Sequence, residues 1–306
     1  MSTHFSQQLL EYFQAISLAP FNIGVQITAI ALPCLLLSET AHSSLGRWIF
    51  KPLASFGFLV AALASIPNNS STFVASSTAA LTSYSTLDGI QNAITTSGGV
   101  AGLATAYLQE LKHLLFNVAP TILPHTVASS VVGAGTVAHT TYTQAVMGAL
   151  VLGAIGDVLL IPKSGFLPGL VSFLAGHAAF MVAFTFHGQD EVAQQGALGI
   201  VVVMSTIVIP WLIPKIKNTV MRGAVIMYML VISGMVITAV GSVNSGRDYL
   251  PERILGAFMF FFSDLFVARQ HFVHKTVLNK WIGLPLYYVA QILLATTLRS
   301  EHVLDQ

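Results

Sequence analysis

Long apolar runs constrain this chain more than any other feature. Eight of them, roughly 22–39, 48–66, 143–161, 166–187, 195–214, 220–241, 252–268 and 281–298, approach the ~20 residues that a membrane-spanning helix needs. A backbone in hydrocarbon must satisfy its own N–H and C=O groups, which leaves helices or closed barrels. Alternation at ~10-residue spacing, the barrel pattern, is absent. The expected fold is therefore all-α, a polytopic transmembrane helix bundle of about eight spans. Composition agrees: 8% of residues are charged, where a soluble domain carries roughly 25%. Thirteen basic and twelve acidic residues give a net charge of +1, too little to hold nucleic acid. Cys34 is the single cysteine, so neither an internal disulfide nor a cysteine-built metal site is expected.

The chain reads as one integral-membrane domain, 1–306, with an extramembrane or interfacial insertion at 67–142 between spans two and three. From Pro67 to Gly99 the insertion is rich in Ser, Thr, Asn and Ala, as a solvated, partly disordered loop would be. Leu103 to Val118 is amphipathic and fits an interfacial helix, while 127–138 is too weakly apolar to count as a span. No internal repeat is visible, and no basic region precedes the first span as in a cleaved signal peptide. Nine of the thirteen Lys and Arg fall on the side of the short 1–2, 3–4, 5–6 and 7–8 loops. That asymmetry puts these loops in the cytoplasm and both termini in the lumen or outside. Asn68 and Asn69 each begin a glycosylation sequon in the loop assigned to the lumen.

Ionisable groups inside spans are costly, at least ~2.5 kcal/mol at mid-bilayer, and so mark candidate sites. They are Glu39, Lys51, Asp157, His177 and Asp264, joined by the neutral Tyr228, Tyr288 and Gln291. Given the orientation, most of them approach one cytoplasmic layer. Gly153 and Gly156 leave the face beside Asp157 open to close approach. Each group also has a plainer reading. Lys51 can snorkel, Glu39 can mark a helix end, His177 can be a packing histidine, and Tyr288 and Gln291 can be interhelical hydrogen bonders. The two acids can pair with Lys51 or Arg269. The aromatic run Phe258 to Phe262 fits lipid contact or packing.

A carboxyl group in an apolar layer resists ionisation, and a nearby carboxylate adds to that resistance. Two such acids suit hydrolysis through an oxocarbenium-like transition state. They suit equally a proton-coupled carrier or lipid transporter, or an intramembrane aspartyl protease. The protease reading fails on motif order. Presenilin-like enzymes place Tyr-Asp first, Gly-x-Gly-Asp second and Pro-Ala-Leu later, whereas here Gly156-Asp157 comes first, Ser263-Asp264 second, and no Pro-Ala-Leu follows. The carrier reading lacks the inverted repeats and broken helices common in transporters.

An ordered set of short motifs runs through the spans: Lys51-Pro52-Leu53, Gly156-Asp157, then Phe166, Gly169, Phe173, His177 and Phe180. Tyr228, Met235 and Ala239 follow, then Gly256-Ala257, Phe260, Ser263-Asp264 and Tyr287-Tyr288-Val289-Ala290-Gln291. In this order the chain resembles the YhhN/transmembrane-protein-86 family, the lysoplasmalogenases, over ~22–66 and ~143–298. The long insertion and Phe180, where Tyr is common, depart from the family pattern. The resemblance implies a membrane hydrolase that cleaves the vinyl ether bond of lysoplasmalogens, giving a fatty aldehyde and glycerophosphocholine or glycerophosphoethanolamine. It places the two catalytic acids at Asp157 and Asp264, with Lys51, His177, Tyr228, Tyr288 and Gln291 binding or positioning substrate. No metal or organic cofactor is implied. The partners are a lysophospholipid and the bilayer itself, and with the sequons the lipid substrate makes the endoplasmic reticulum the expected location.

Overall fold

Apolar runs leave helix ends undefined, and polar caps define them. In the computed structural model, which describes residues 19–66, 134–186, 188–242 and 250–302, the chain forms α1 (Ala19–Thr40), α2 (Ser44–Ser65), α3 (Ala134–Leu159) and α4 (Phe166–Thr185). These are followed by α5 (Glu191–Leu212), α6 (Thr219–Gly241), α7 (Leu250–Ala268) and α8 (Val277–Thr296). No strand occurs among the described residues. Ser43 caps α2 by accepting from the Gly46 N–H at 3.1 Å, and Asp190 caps α5 through Ala193 at 2.9 Å. Asn218 caps α6 through Val220 and Met221 at 2.8 and 3.2 Å. The turn between α1 and α2 passes through His42 at φ 53°, a left-handed conformation that a side chain makes costly.

Seven of these helices are long and apolar enough to cross a membrane. The sequence reading expects an eighth at α7, which is 19 residues long but contains Glu252, Arg253 and Asp264. The charges at its start turn inward: Arg253 is buried, donates to Ser242 Oγ at 2.8 Å and lies over the rings of Tyr142 and Phe184. The bundle is thus an all-α, multi-pass membrane protein.

Helices in lipid associate through close packing and hydrogen bonds rather than water exclusion. α1 lies against α2, where Thr28 Oγ1 donates to the Ala54 carbonyl at 3.1 Å. α8 packs on α1, α2 and α7, and α6 packs on α4, α5 and α7. From Thr141 onward α3 is central: Ser172 of α4 donates to the Leu152 carbonyl at 2.7 Å, and Tyr142 donates to Thr297 just past α8 at 2.7 Å. The span of α5 is only 22% buried, against 56% for those of α3 and α8. α5 therefore presents its apolar surface outward, and the inner helices carry the polar groups.

Contacts divide the chain into two units, Met1–Ile66 with Thr141–Gln306, and Pro67–Thr140. The loop expected at 67–99 and the amphipathic helix expected at 103–118 lie outside the described residues. α3 begins at Ala134, inside the stretch judged too weakly apolar to be a span; residues 134–142 extend the helix ahead of the apolar run that starts at 143.

Candidate active site

Asp157 sits in the last turn of α3, on a face made accessible by two glycines. A Cβ at 153 would collide with the Gln291 amide, and one at 156 would lie 2.7 Å from the Phe173 ring. With no side chains there, α8 and α4 close on α3 at the level of the acid. The Asp157 carboxylate is 2% exposed and has three partners. Lys51 Nζ lies 3.3 Å from Oδ1. Ser55 Oγ and the Tyr287 hydroxyl donate to Oδ2 at 2.6 and 2.8 Å. Ser55 also lies 3.0 Å from the Lys51 carbonyl; a hydroxyl has one proton, and the shorter, charge-assisted contact takes it. Gln291 Nε2 donates to the Tyr287 oxygen at 3.0 Å, so Gln291 reaches Asp157 through Tyr287.

Asp264 lies near the end of α7, next to Ser263, whose hydroxyl donates to the Gly283 carbonyl of α8 at 2.9 Å. Its carboxylate is 18% exposed. The Tyr228 hydroxyl donates to Oδ2 at 2.6 Å, and His177 Nε2 is 3.0 Å from the same oxygen. His177 Nε2 is also 3.1 Å from the Tyr228 oxygen. Because the tyrosine proton goes to Asp264, Nε2 must carry a proton to bond either oxygen. Oδ1 takes part in none of these contacts. Arg269, the other cation considered for this acid, instead donates to Asn279 Oδ1.

Aromatic rings join the two acid clusters. Phe173, Phe260 and Tyr287 meet edge to face at centroid distances of 5.3 to 6.4 Å, and His177 meets Phe260 at 4.5 Å. The run Phe258 to Phe262 thus divides: Phe260 is buried in this layer, and Phe262 is exposed on the outer face.

A cavity of about 250 Å³ opens beside both carboxylates. Asp157, Lys51, Tyr228, Asp264 and Tyr287 line it, and most of the remaining wall is Leu, Val, Ile, Met and Phe. Its other polar residues are Glu39, Ser263, Gln270, His271, Asn279 and Lys280. His271 follows α7 in the π-helical turn Arg269–Val273 and stacks on Phe166 with ring centroids 3.5 Å apart. Burial, helped by the Lys275 charge, lowers its pKa below the usual imidazole value of 6.5. Among the described residues no three His, Cys, Asp or Glu side chains are grouped as metal ligands.

Of the eight residues singled out from sequence, Glu39, Lys51, Asp157, Tyr228 and Asp264 line the cavity. His177 and Gln291 touch residues that do, and Tyr288 donates to the Lys51 carbonyl at 3.3 Å. Ser55 and Tyr287 were not singled out. Both had a signal, since Ser55 is one turn after Lys51, and Tyr287 one turn before Gln291, on the same helix face.

The pattern of the YhhN family matches residues 113–298. That span holds both acids, Tyr228, His177 and Tyr287, and leaves α1 and α2, with Lys51 and Ser55, outside it. Human lysoplasmalogenase TMEM86B is 28% identical over 160 residues, which cover 52% of this chain and 66% of the human protein, just under two thirds of its length. No solved structure matches. With its family pattern extending over more than half of its length, the chain belongs to the YhhN family.

Proposed function

We propose that this protein is a membrane-embedded ether hydrolase that cleaves the vinyl ether bond of lysoplasmalogens. Family membership and the similarity to a lysoplasmalogenase support the hydrolase class. The observation that carries the chemistry is the pair of unlike carboxylates on one apolar cavity, Asp157 beside Lys51 and Asp264 beside Tyr228 and His177, with no lysine or arginine on it among the described residues. Asp157 is the ionised partner: Lys51 balances its charge, and Ser55 and Tyr287 occupy its acceptor positions. Asp264 is the proton donor. Tyr228 and His177 make Oδ2 the acceptor oxygen, which leaves Oδ1 to hold the proton that this role needs.

Asp264 gives that proton to the vinyl carbon remote from oxygen, and the double-bond electrons form the new C–H bond. The adjacent carbon and oxygen share the resulting positive charge as an oxocarbenium ion, which the Asp157 carboxylate stabilises through a medium of low dielectric. Water adds to the oxocarbenium carbon and returns a proton to Asp264. The hemiacetal then collapses: its C–O bond to glycerol breaks, Asp264 protonates the leaving oxygen, and the hemiacetal hydroxyl restores the proton to Asp264. The products are a fatty aldehyde and a glycerophospho-amine, and atoms and charge balance. The apolar wall suits the alkenyl chain. In the same reading the basic short loops face the cytoplasm and the protein resides in the endoplasmic reticulum; glycosylation of Asn68 or Asn69 would report the lumenal side.

The test is aldehyde release from a lysoplasmalogen by purified protein in detergent, with the saturated ether analogue as control. Cleavage of the vinyl ether alone, lost in folded Asp157→Asn and Asp264→Asn, is the expected result. Folded wild type that releases no aldehyde overturns the reading.

A further inference from the structure

The cavity lining contains an ion pair that the proposed chemistry does not use. Glu39, at the end of α1, and Lys280, in the first turn of α8, both line the cavity, with Lys280 Nζ 2.6 Å from Glu39 Oε2. The Glu39 side chain is 11% exposed and the Lys280 side chain 25%. Arg47 of α2 lies 3.7 Å from the same carboxylate oxygen. A pair that served only to tie α1 to α8 would not need to open into the cavity or carry a second cation in reserve.

We propose that Glu39 and Lys280 form the subsite for a zwitterionic phospho-amine headgroup, an inference that rests on the lysoplasmalogen reading above. A phosphodiester with an attached ammonium presents the same two charges as the pair itself. On binding, Lys280 turns from Glu39 to the phosphate and Glu39 receives the ammonium, so one ion pair is exchanged for two and the net charge of the site is unchanged. Arg47 keeps the carboxylate compensated while Lys280 moves, which avoids the cost of a buried charge left alone. The headgroup then lies at this pair and the chain along the apolar wall, where Asp157 and Asp264 reach the ether oxygen's neighbours.

The experiment measures binding of non-cleavable alkyl-ether lysolipids bearing ethanolamine, choline or phosphoglycerol headgroups, to full-length protein in detergent. Because these lipids are not hydrolysed, binding is read whether or not the vinyl ether is the true substrate. Wild type is expected to prefer the two ammonium-bearing lipids. Glu39→Gln should weaken these by about tenfold, the size of one charged hydrogen bond, and leave phosphoglycerol within about twofold. Lys280→Met should weaken all three alike. The exchanged variant E39K/K280E, made together with Arg47→Gln so that the new cation at 39 faces no second one, keeps a pair between α1 and α8 and should fold, yet lose the preference for ammonium headgroups. Wild type that binds the three lipids equally overturns the subsite, as does an exchanged variant that keeps the wild-type preference. Vinyl ether cleavage without headgroup discrimination removes the subsite and leaves the hydrolase; headgroup discrimination without cleavage removes the hydrolase reading and leaves the subsite.

Discussion

Asp157 and Asp264 open onto one cavity, but the protein encloses the first and leaves the second partly free. Asp157 is 2% exposed, with an ammonium and two hydroxyls on its oxygens. Asp264 is 18% exposed, with a tyrosine and a histidine sharing one oxygen and, among the described residues, no lysine or arginine paired with it. The origin of the partners differs as well. Lys51 and Ser55 come from α2, outside the residues that match the family pattern, whereas Tyr228 and His177 lie within them. A carboxylate closed in by a cation and donors is part of the packing of α2, α3 and α8. At Asp264, Tyr228 and His177 both meet Oδ2, and Oδ1 is left out of these contacts.

Substitution at the two acids is the largest test of that contrast. Asp264→Asn should reduce aldehyde release by about 10³-fold, within the range for a lost general acid, with little change in the apparent unfolding temperature. Asp157→Asn should lose comparable activity and also unfold more easily, because Lys51 is left without its buried partner, a loss of about 3–5 kcal/mol. Thermal unfolding in detergent beside the activity assay separates the two, and equal unfolding temperatures would erase the contrast. Combining Asp157→Asn with Lys51→Met should restore part of the stability, since the double variant buries no single charge. A double-mutant cycle with no coupling would show that the 3.3 Å contact contributes nothing.

The tyrosines sharpen the same comparison at smaller scale. Tyr228→Phe removes the 2.6 Å bond to Asp264 and should lower kcat by about tenfold with KM unchanged, as expected for a charge-assisted hydrogen bond. Tyr287→Phe removes bonds to Asp157 and from Gln291. It should cost about 1–3 kcal/mol of stability, because the Gln291 amide is left buried without an acceptor.

The sequence made the charged pivots of this site legible and left their partners obscure. An acid in an apolar run is conspicuous, so Asp157 and Asp264 stand out, as do Lys51, His177 and Tyr228. The helices were equally visible, apart from the start of α3, where Thr and His residues carry the helix back from the apolar run. Tyr287 and Tyr288 are adjacent and chemically identical, and the choice between them depends on rotation of α8 by about 100°, a tertiary property. Gln291 one turn on favours Tyr287, as observed. Ser55 is a neutral residue between Ala54 and Phe56, marked only by its place one turn after Lys51. The pairing of Glu39 with Lys280, 241 positions away, follows from α1 packing on α8, which no local pattern encodes.

The smallest expected effect concerns pH at the open side of the cavity. His271 lies seven residues after Asp264, also lines the cavity, and stacks on Phe166. Burial and then the Lys275 charge lower its pKa in the folded protein, so the folded state favours the neutral ring. As pH falls, the unfolded chain binds the proton first, near the ordinary value of about 6.5. The stabilisation is therefore full above that value and is lost as pH falls from there through the lower folded pKa. His271→Phe keeps a stacking ring and removes the titration. Between pH 7.5 and 5 the wild type should lose about a degree of apparent unfolding temperature relative to this variant, a small effect because solvent screens an exposed ring. Parallel curves for the two proteins would mean that the ring is free to ionise where it stands. An equal pH response in Asp264→Asn and Asp157→Asn backgrounds would assign it to His271 itself rather than to either acid.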